Sequence, residues 1–319
     1  MLDEKMMIAY GPVPSRRLGQ SIGINNIPPK ICTYSCVYCQ LGRTLNMQIK
    51  RQTFYQPDEV IEAVKTKIQK AQENQEPIDY LTFVPDGEPT LDENLGEEIE
   101  QLRKTDRKIA VISNASLIWR GDVQKDLSKA HWVSLKMDTV DQNVWHSANR
   151  PHKGLDLQKI LNGAKEFSQS FRGDLVTETM LLQDINDKAE IIERTAAFIK
   201  ILNPKKSYIS IPIRPPAEEW VKPASEININ SAFQIFKEHD LDSEYLIGYE
   251  GNAFAYTGNV DKDLLSIVSV HPMRKEAVDN FLAKAREDWD TVERLIRENK
   301  LIELEYQGNK YYMRKLSKS

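Results

Sequence analysis

Short apolar runs alternate with amphipathic stretches from about residue 20 to residue 215. The runs are Ile22–Ile24, Tyr80–Val84, Ile109–Ile112, Trp132–Met137, Leu175–Leu182 and Tyr208–Ile213, and each reads as a strand. Between them, Pro57–Ala71, Glu93–Lys104, Val123–Ala130, Leu155–Ser170 and Lys188–Leu202 carry helical periodicity. Pro57 followed by Asp58 and Glu59 suits a helix start. Strand–helix alternation of this kind predicts an α/β fold with a parallel sheet and crossover helices. Six such units fit a partial (β/α)6 barrel. A doubly wound open sheet has the same periodicity, so the pattern leaves both open.

The pattern changes near Gly251–Asn259, which reads as a linker. Three helical stretches follow, Asp263–Val270, Met273–Ala285 and Asp290–Asn299. Leu301–Tyr306 and Lys310–Leu316 then alternate like strands around Gln307–Gly308–Asn309, a hairpin signal. Three helices and a hairpin read as a small C-terminal winged-helix domain. The expected division is therefore a core of residues 1–250 and a linker plus winged helix of residues 251–319.

Composition adds limits. The 319 residues, 40% hydrophobic and 28% charged, are those of an ordinary globular chain. A net charge of −4 gives no overall nucleic-acid signature. No apolar run approaches the roughly 20 residues that span a bilayer. The start, MLDEKMMIAYG, lacks the basic and apolar segments of a signal peptide. A cytoplasmic protein with no membrane partner is expected.

The three cysteines, Cys32, Cys36 and Cys39, all lie in "ICTYSCVYCQLGRT". Three thiols cannot all pair with one another, and clustered thiols in a reducing cytosol point to metal or redox chemistry. Structural zinc takes four closed ligands, so a fourth would have to be borrowed. A four-iron cluster normally takes four thiolates. Three would leave one iron open, which is useful to an enzyme that must touch its cofactor. The five histidines form no spaced ligand pair and read as structural, and the five tryptophans read as packing residues.

Cys-x-x-x-Cys-x-aromatic-Cys, here Cys32, Cys36, Tyr38 and Cys39, resembles the signature of the radical S-adenosylmethionine (SAM) superfamily. The resemblance implies a partial (β/α)6 barrel of TIM type. It also implies a [4Fe-4S] cluster on the three cysteines whose open iron binds the amino and carboxylate groups of SAM. One electron then cleaves SAM to methionine and a 5′-deoxyadenosyl radical, which abstracts hydrogen from a substrate. Ferredoxin or flavodoxin would supply the electron. "YGPVPSRRLGQSIGI", "CVYCQLGRT", "GEPTL" and "NRPH" together resemble a little-characterised branch of radical SAM iron–sulfur oxidoreductases grouped near the enzymes of wybutosine synthesis. That resemblance spans roughly residues 8 to 250.

Site candidates follow at strand ends, where ligands gather in such folds. In "VPDGEPTL", Gly87 permits close backbone approach and Glu88 can accept from an ammonium. The resemblance makes this the SAM amine site, with Asp86, where a small residue is usual, as a second carboxylate or a loop cap. Ser113 and Asn114 end the third strand at a position the superfamily uses for SAM. Lys136 and Asp138 share a face of the fourth strand by period two. Glu178 lies inside the fifth and is not expected to face a dry core unpaired; it can hold a ribose hydroxyl. Arg214 ends the sixth. Ser15, Arg16 and Arg17 suit an anionic substrate, or the arginines bridge acidic residues at the barrel base.

Residues 261–319 hold twelve basic and eleven acidic residues, a weak balance for phosphate binding. Lys310, Arg314, Lys315 and Lys318 nevertheless mark the wing and tail as a candidate substrate surface. The tail is expected to fold as a unit and to present substrate to a self-sufficient core. That substrate is tRNA or another RNA, or else a protein or peptide. A non-catalytic metal-cluster regulator that binds DNA is the reading from a different class.

Overall fold

A computed structural model of the chain describes residues 8–248 and 251–315. The chain enters through an antiparallel pair, β1 (Ala9–Ser15) and β2 (Gly19–Ile24), and the cysteine loop carries a short ribbon, β3 (Ile31–Cys32) and β4 (Asn46–Met47). Then come α1 (Pro57–Glu73), β5 (Tyr80–Phe83), α2 (Leu95–Arg103), β6 (Lys108–Ser113), α3 (Gly121–Leu127) and β7 (Trp132–Lys136). They are followed by α4 (Gln142–Asn149), α5 (Leu157–Ser170), β8 (Asp174–Met180), α6 (Ala189–Leu202), β9 (Lys206–Ser210), α7 (Glu226–Glu238) and β10 (Ser243–Leu246).

One eight-stranded sheet runs in the order β1-β2-β5-β6-β7-β8-β9-β10, parallel except at the first pair. The order never reverses, so the switch point of a doubly wound sheet is absent. Period-two alternation explains the asymmetry of its faces. Ile22, Leu81, Phe83, Ile109, Val111, Val133 and Leu135 join the helices in one large core. The residues between them, such as Ser21, Thr82, Lys136, Glu178 and Ser210, line a cavity on the opposite face. The helices between the strands thus cover the face opposite the cavity.

Helix starts follow local chemistry. Pro57 opens α1, and the Glu59 side chain accepts from the Gln56 N–H at 3.2 Å. Asp141 caps α4 through the N–H groups of Asn143 and Val144, and α4 ends where Arg150 turns left-handed at φ 45°.

The tail consists of α8 (Val260–Val268), β11 (Met273–Arg274), α9 (Lys275–Ala285), α10 (Asp290–Arg297), β12 (Leu301–Tyr306) and β13 (Asn309–Arg314). Its antiparallel sheet has the order β11-β13-β12. Gln307 and Gly308 both take positive φ, as a tight hairpin requires. Leu316 and Lys318 lie outside the described residues. The tail's apolar core is not closed on itself: Tyr10 and Val13 of β1 pack into it beside Phe254, Leu264 and Phe281. The linker is laid down as well, with the Ala255 N–H donating to the Pro12 carbonyl at 3.0 Å.

One buried feature away from the cavity titrates. Asp92 and Glu98 are fully enclosed neighbours. Burial pushes Asp92 up to about 6; burial and the adjoining Asp92 push Glu98 well above the carboxylate range. Both folded values exceed the unfolded ones, so this pair's contribution to stability is present at low pH and is lost as pH rises through about 6. Glu98→Gln keeps the shape and removes a charge. Urea unfolding should show the variant more stable than wild type by about 1–3 kcal/mol near pH 8, with little difference near pH 4. An equal difference at both pH values would contradict this account.

Candidate functional site

The cysteine loop is fixed from two sides. The N–H of Cys39 donates to Cys36 O at 3.1 Å and that of Gly42 to Cys39 O at 3.0 Å, giving successive tight turns. Backbone bonds lace the loop to the end of α4: Ser35 N–H to Asn149 O (3.1 Å), Val37 N–H to Ala148 O (2.9 Å) and His152 N–H to Thr33 O (2.9 Å). The "NRPH" segment is therefore the strap of the cysteine loop. On the other side the Glu218 N–H donates to Val37 O at 3.1 Å, while its carboxylate grips Arg43 through two 2.8 Å bonds and also holds Arg150.

All three thiols open into one cavity of about 380 Å³. None is in a disulfide. Burial pushes each thiol up, Cys36 to about 12. Among the described residues no three His, Cys, Asp or Glu side chains converge on one ion position. A mononuclear zinc site would need that convergence. A four-iron cluster does not, because each thiolate takes a different iron. Three free thiols on one loop, all lining this cavity, suit a cluster.

The loop after β5 leans on the same ribbon. Gly87 bridges Ile31 at φ 157°, and a Cβ there would stand 1.9 Å from the Ile31 carbonyl oxygen, so only glycine fits. Glu88 is enclosed and accepts four bonds. Its Oε1 takes Thr90 N–H (3.1 Å), Thr90 Oγ1 (2.7 Å) and Ser113 Oγ (2.8 Å), and its Oε2 takes Asn114 N–H (2.7 Å). Burial raises its pKa and these donors oppose the rise. Asp86 lies 3.3 Å from Lys30 Nζ, and burial pushes it up to about 6 against the pull of that cation.

Across the cavity, Glu178 binds Lys136 Nζ (2.9 Å), Ser210 Oγ (3.0 Å) and Arg17. Burial alone would raise Glu178, but Lys136 and Arg17 outweigh it and hold its carboxyl well below the usual range. Arg17 stands 5.8 Å from the Trp132 ring and 5.9 Å from the Tyr208 ring, and Lys136 stands 5.1 Å from the Tyr38 ring. Ser15 and Arg16 complete this side, with Arg16 Nη1 donating to Gly248 O at 2.7 Å. The bridging role weighed for the arginines thus holds for Arg17, but inside the cavity.

The tail closes one wall. Val270 and His271 line the cavity. Arg214 donates through Nη1 to Gln40 Oε1 (2.8 Å) and through Nε to Pro272 O (3.2 Å), and its Nη2 stands 2.8 Å from His271 Nε2. Gln40 Nε2 in turn donates to Val270 O at 3.2 Å. Burial, with Arg214 beside it, holds His271 well below its usual pKa, so its neutral Nε2 accepts from Arg214. Tyr306 and Tyr311 hydroxyls donate to Pro212 O (3.1 Å) and Ile213 O (2.7 Å).

The expected residues thus converge, with two corrections. Asp138 does not line the cavity. Period two would aim it inward, but it lies two residues past the last β7 pairing and turns behind Tyr38. There it accepts from the Tyr38 hydroxyl, Asn149 Nδ2 (2.8 Å) and Met180 N–H (2.9 Å). Lys310, Arg314 and Lys315 also lie away from the cavity. Lys310 pairs with Glu303 at 2.8 Å across the hairpin, and Lys315 donates to Asn299 at 3.0 Å. Sequence reasoning missed Lys30, Gln40, Asn149 and His271. Asn149 stood in a quoted motif, but nothing in its type announced a role.

Comparisons agree with this geometry. The family model of the Radical SAM superfamily matches residues 26–199. A UPF0026 protein of Methanocaldococcus jannaschii is 49% identical over 313 residues, 98% of this chain and 97% of that protein. A UPF0026 protein of Helicobacter pylori is 35% identical, over 67% of this chain and 69% of its own. Among solved structures, a radical SAM methyltransferase from Sphaerobacter thermophilus has a similar fold (TM-score 0.54, 13% identity, 71% of this chain and 66% of that one). So does TYW1 with a lysine-pyruvate adduct bound (TM-score 0.53, 16% identity, 75% and 78%). Streptococcus suis SuiB bound to precursor peptide SuiA is a third (TM-score 0.52, 13% identity, 70% and 48%). With its three thiols gathered in one cavity at the sheet's strand ends, the chain belongs to the Radical SAM superfamily, a family of enzymes that use a [4Fe-4S] cluster and S-adenosylmethionine.

Proposed function

We propose that Cys32, Cys36 and Cys39 hold the cluster, and that the enzyme abstracts hydrogen from a substrate group reaching into the cavity. The carrying observation is that the cysteine loop, the Gly87–Glu88 loop and the Lys136–Glu178–Arg17 group all face one cavity. When bound, the cluster and SAM supply one-electron cleavage to methionine and a 5′-deoxyadenosyl radical. The chain's own residues bind, orient and shield. Glu88 Oε2, bonded once by backbone, and Asp86 offer negative charge to the SAM amine. Ser113 and Asn114 keep Glu88 in place. Lys136 and Arg17 leave one positive charge beyond Glu178, which favours an acidic group on SAM or substrate. A one-electron carrier such as ferredoxin or flavodoxin is the donor in this reading. No described helix is long and apolar enough to cross a membrane.

The tail's order of helices and strands is that of a winged helix, and we assign it so. For an RNA substrate, its paired Lys310 and the acidic Asp288 and Asp290 near α10 give little footing. Its contacts with Arg214 and Gln40 favour a cavity wall, beside which an RNA, peptide or smaller substrate must enter.

Glu88→Gln tests the SAM site. Gln offers one acceptor oxygen where four donors now converge, so binding of SAM should weaken about tenfold or more by calorimetry while iron content holds. Unchanged affinity would place the amine elsewhere, with Asp86 next.

A further inference from the structure

Two side-chain amides, the buried Asn149 and the half-buried Asn114, point at the cysteine sulfurs, and their orientation is dictated by their other partners. Asn149 Nδ2 lies 3.5 Å from Cys36 Sγ and 2.8 Å from Asp138 Oδ2. A carboxylate only accepts, so it must face the NH2 end of this amide, and the second N–H falls between the Tyr38 oxygen at 3.1 Å and the Cys36 sulfur. Asp138 is itself aligned by Met180 N–H and by the Tyr38 hydroxyl. Asn114 repeats the device: its Oδ1 accepts from the Ser116 N–H at 2.9 Å, which turns Nδ2 toward Thr33 Oγ1 (2.8 Å) and Cys32 Sγ (3.5 Å).

We infer that Asn149, aligned by Asp138, and Asn114 are positioning residues that set the reduction potential of the cluster. The inference rests on the cluster reading above. Donors to thiolate sulfur stabilise the more negative state, so they favour accepting one electron from the external one-electron carrier. Asp138 thereby gains a role behind the site, and both amides are built into the fold whether or not substrate is present.

The test is a redox titration of anaerobically reconstituted full-length protein, followed by the spectrum of the reduced cluster. Asn149→Leu, similar in volume without the donor, should keep its iron and shift the midpoint to lower potential. At fixed potential its ratio of reduced to oxidised cluster should fall three- to tenfold, tenfold being 59 mV for one electron. Asp138→Asn, which leaves Asn149 present but no longer forced to donate, should shift the same way by less. A wild-type midpoint in iron-replete Asn149→Leu would overturn the inference. Should Asn149→Leu lose iron, Asp138→Asn decides: an unchanged midpoint, or lost iron there too, also overturns it. Failure of the cluster reading looks different, since wild-type protein would then hold no iron, or Cys36→Ala would keep all of it.

Discussion

Cys36→Ala should yield a folded protein with a defective or absent cluster and no measurable SAM cleavage, and Cys32→Ala and Cys39→Ala should do the same. The chain has no fourth cysteine to recruit. Of the five histidines, only His271 lines the cavity, and Arg214 already occupies its Nε2. Four irons held by two thiolates lack the ligands of any ordinary four-iron site. The fold should survive, because the cysteine loop is held by backbone bonds to Asn149, Ala148 and His152 that do not involve sulfur. Iron analysis, visible absorbance and circular dichroism together check this. Four irons per chain in all three variants, with normal SAM cleavage, would refute the ligand assignment.

Deleting residues 261–319 should have an effect nearly as large, contrary to the sequence expectation of a separable tail. The deletion uncovers Tyr10 and Val13, whose burial is worth roughly 1.5–3 kcal/mol each. It removes Asp263 from Lys67, a 2.9 Å pair that ties the tail to α1. It also strips His271 and Pro272 from Arg214 and Val270 from Gln40, next to Cys39. The expected result is aggregation, or a soluble remnant that binds iron poorly and cleaves SAM slowly. A soluble truncation that cleaves SAM at the wild-type rate would instead restore the view of the tail as a presenting module.

The strands from Ile22 to Tyr208 were legible because parallel strands buried on one side by helices read as short apolar runs. Their ends were not: Tyr208–Ile213 continues past Ser210 because Ile211, Pro212 and Ile213 line the cavity, and Leu175–Leu182 continues past Met180 because Leu181 and Leu182 are buried apolar residues beyond the strand. The edge strand β1 was missed because Pro12 and Pro14 argue against a strand, and prolines are tolerated only at an edge. The short helix α4 and the Asn- and Ile-rich α7 gave little periodicity.

The site divides similarly. Cysteines, glycine and acidic residues announce themselves by type and spacing. Asp138 was read as sharing a face with Lys136, but it lies two residues past the end of β7, where the turning chain places it behind Tyr38. Gln40, Asn149 and His271 matter through partners remote in sequence, which a single chain read in one dimension does not display. Those partnerships also tie the tail to the cavity wall.

The most direct test of the central claim is SAM cleavage by the anaerobically reconstituted, chemically reduced protein, followed as 5′-deoxyadenosine and methionine. The account predicts both products from wild type, in equal amounts at first, and neither from Cys36→Ala. Wild-type protein that carries four irons and is demonstrably reduced, yet leaves SAM intact with and without cell extract as a source of substrate, would contradict it.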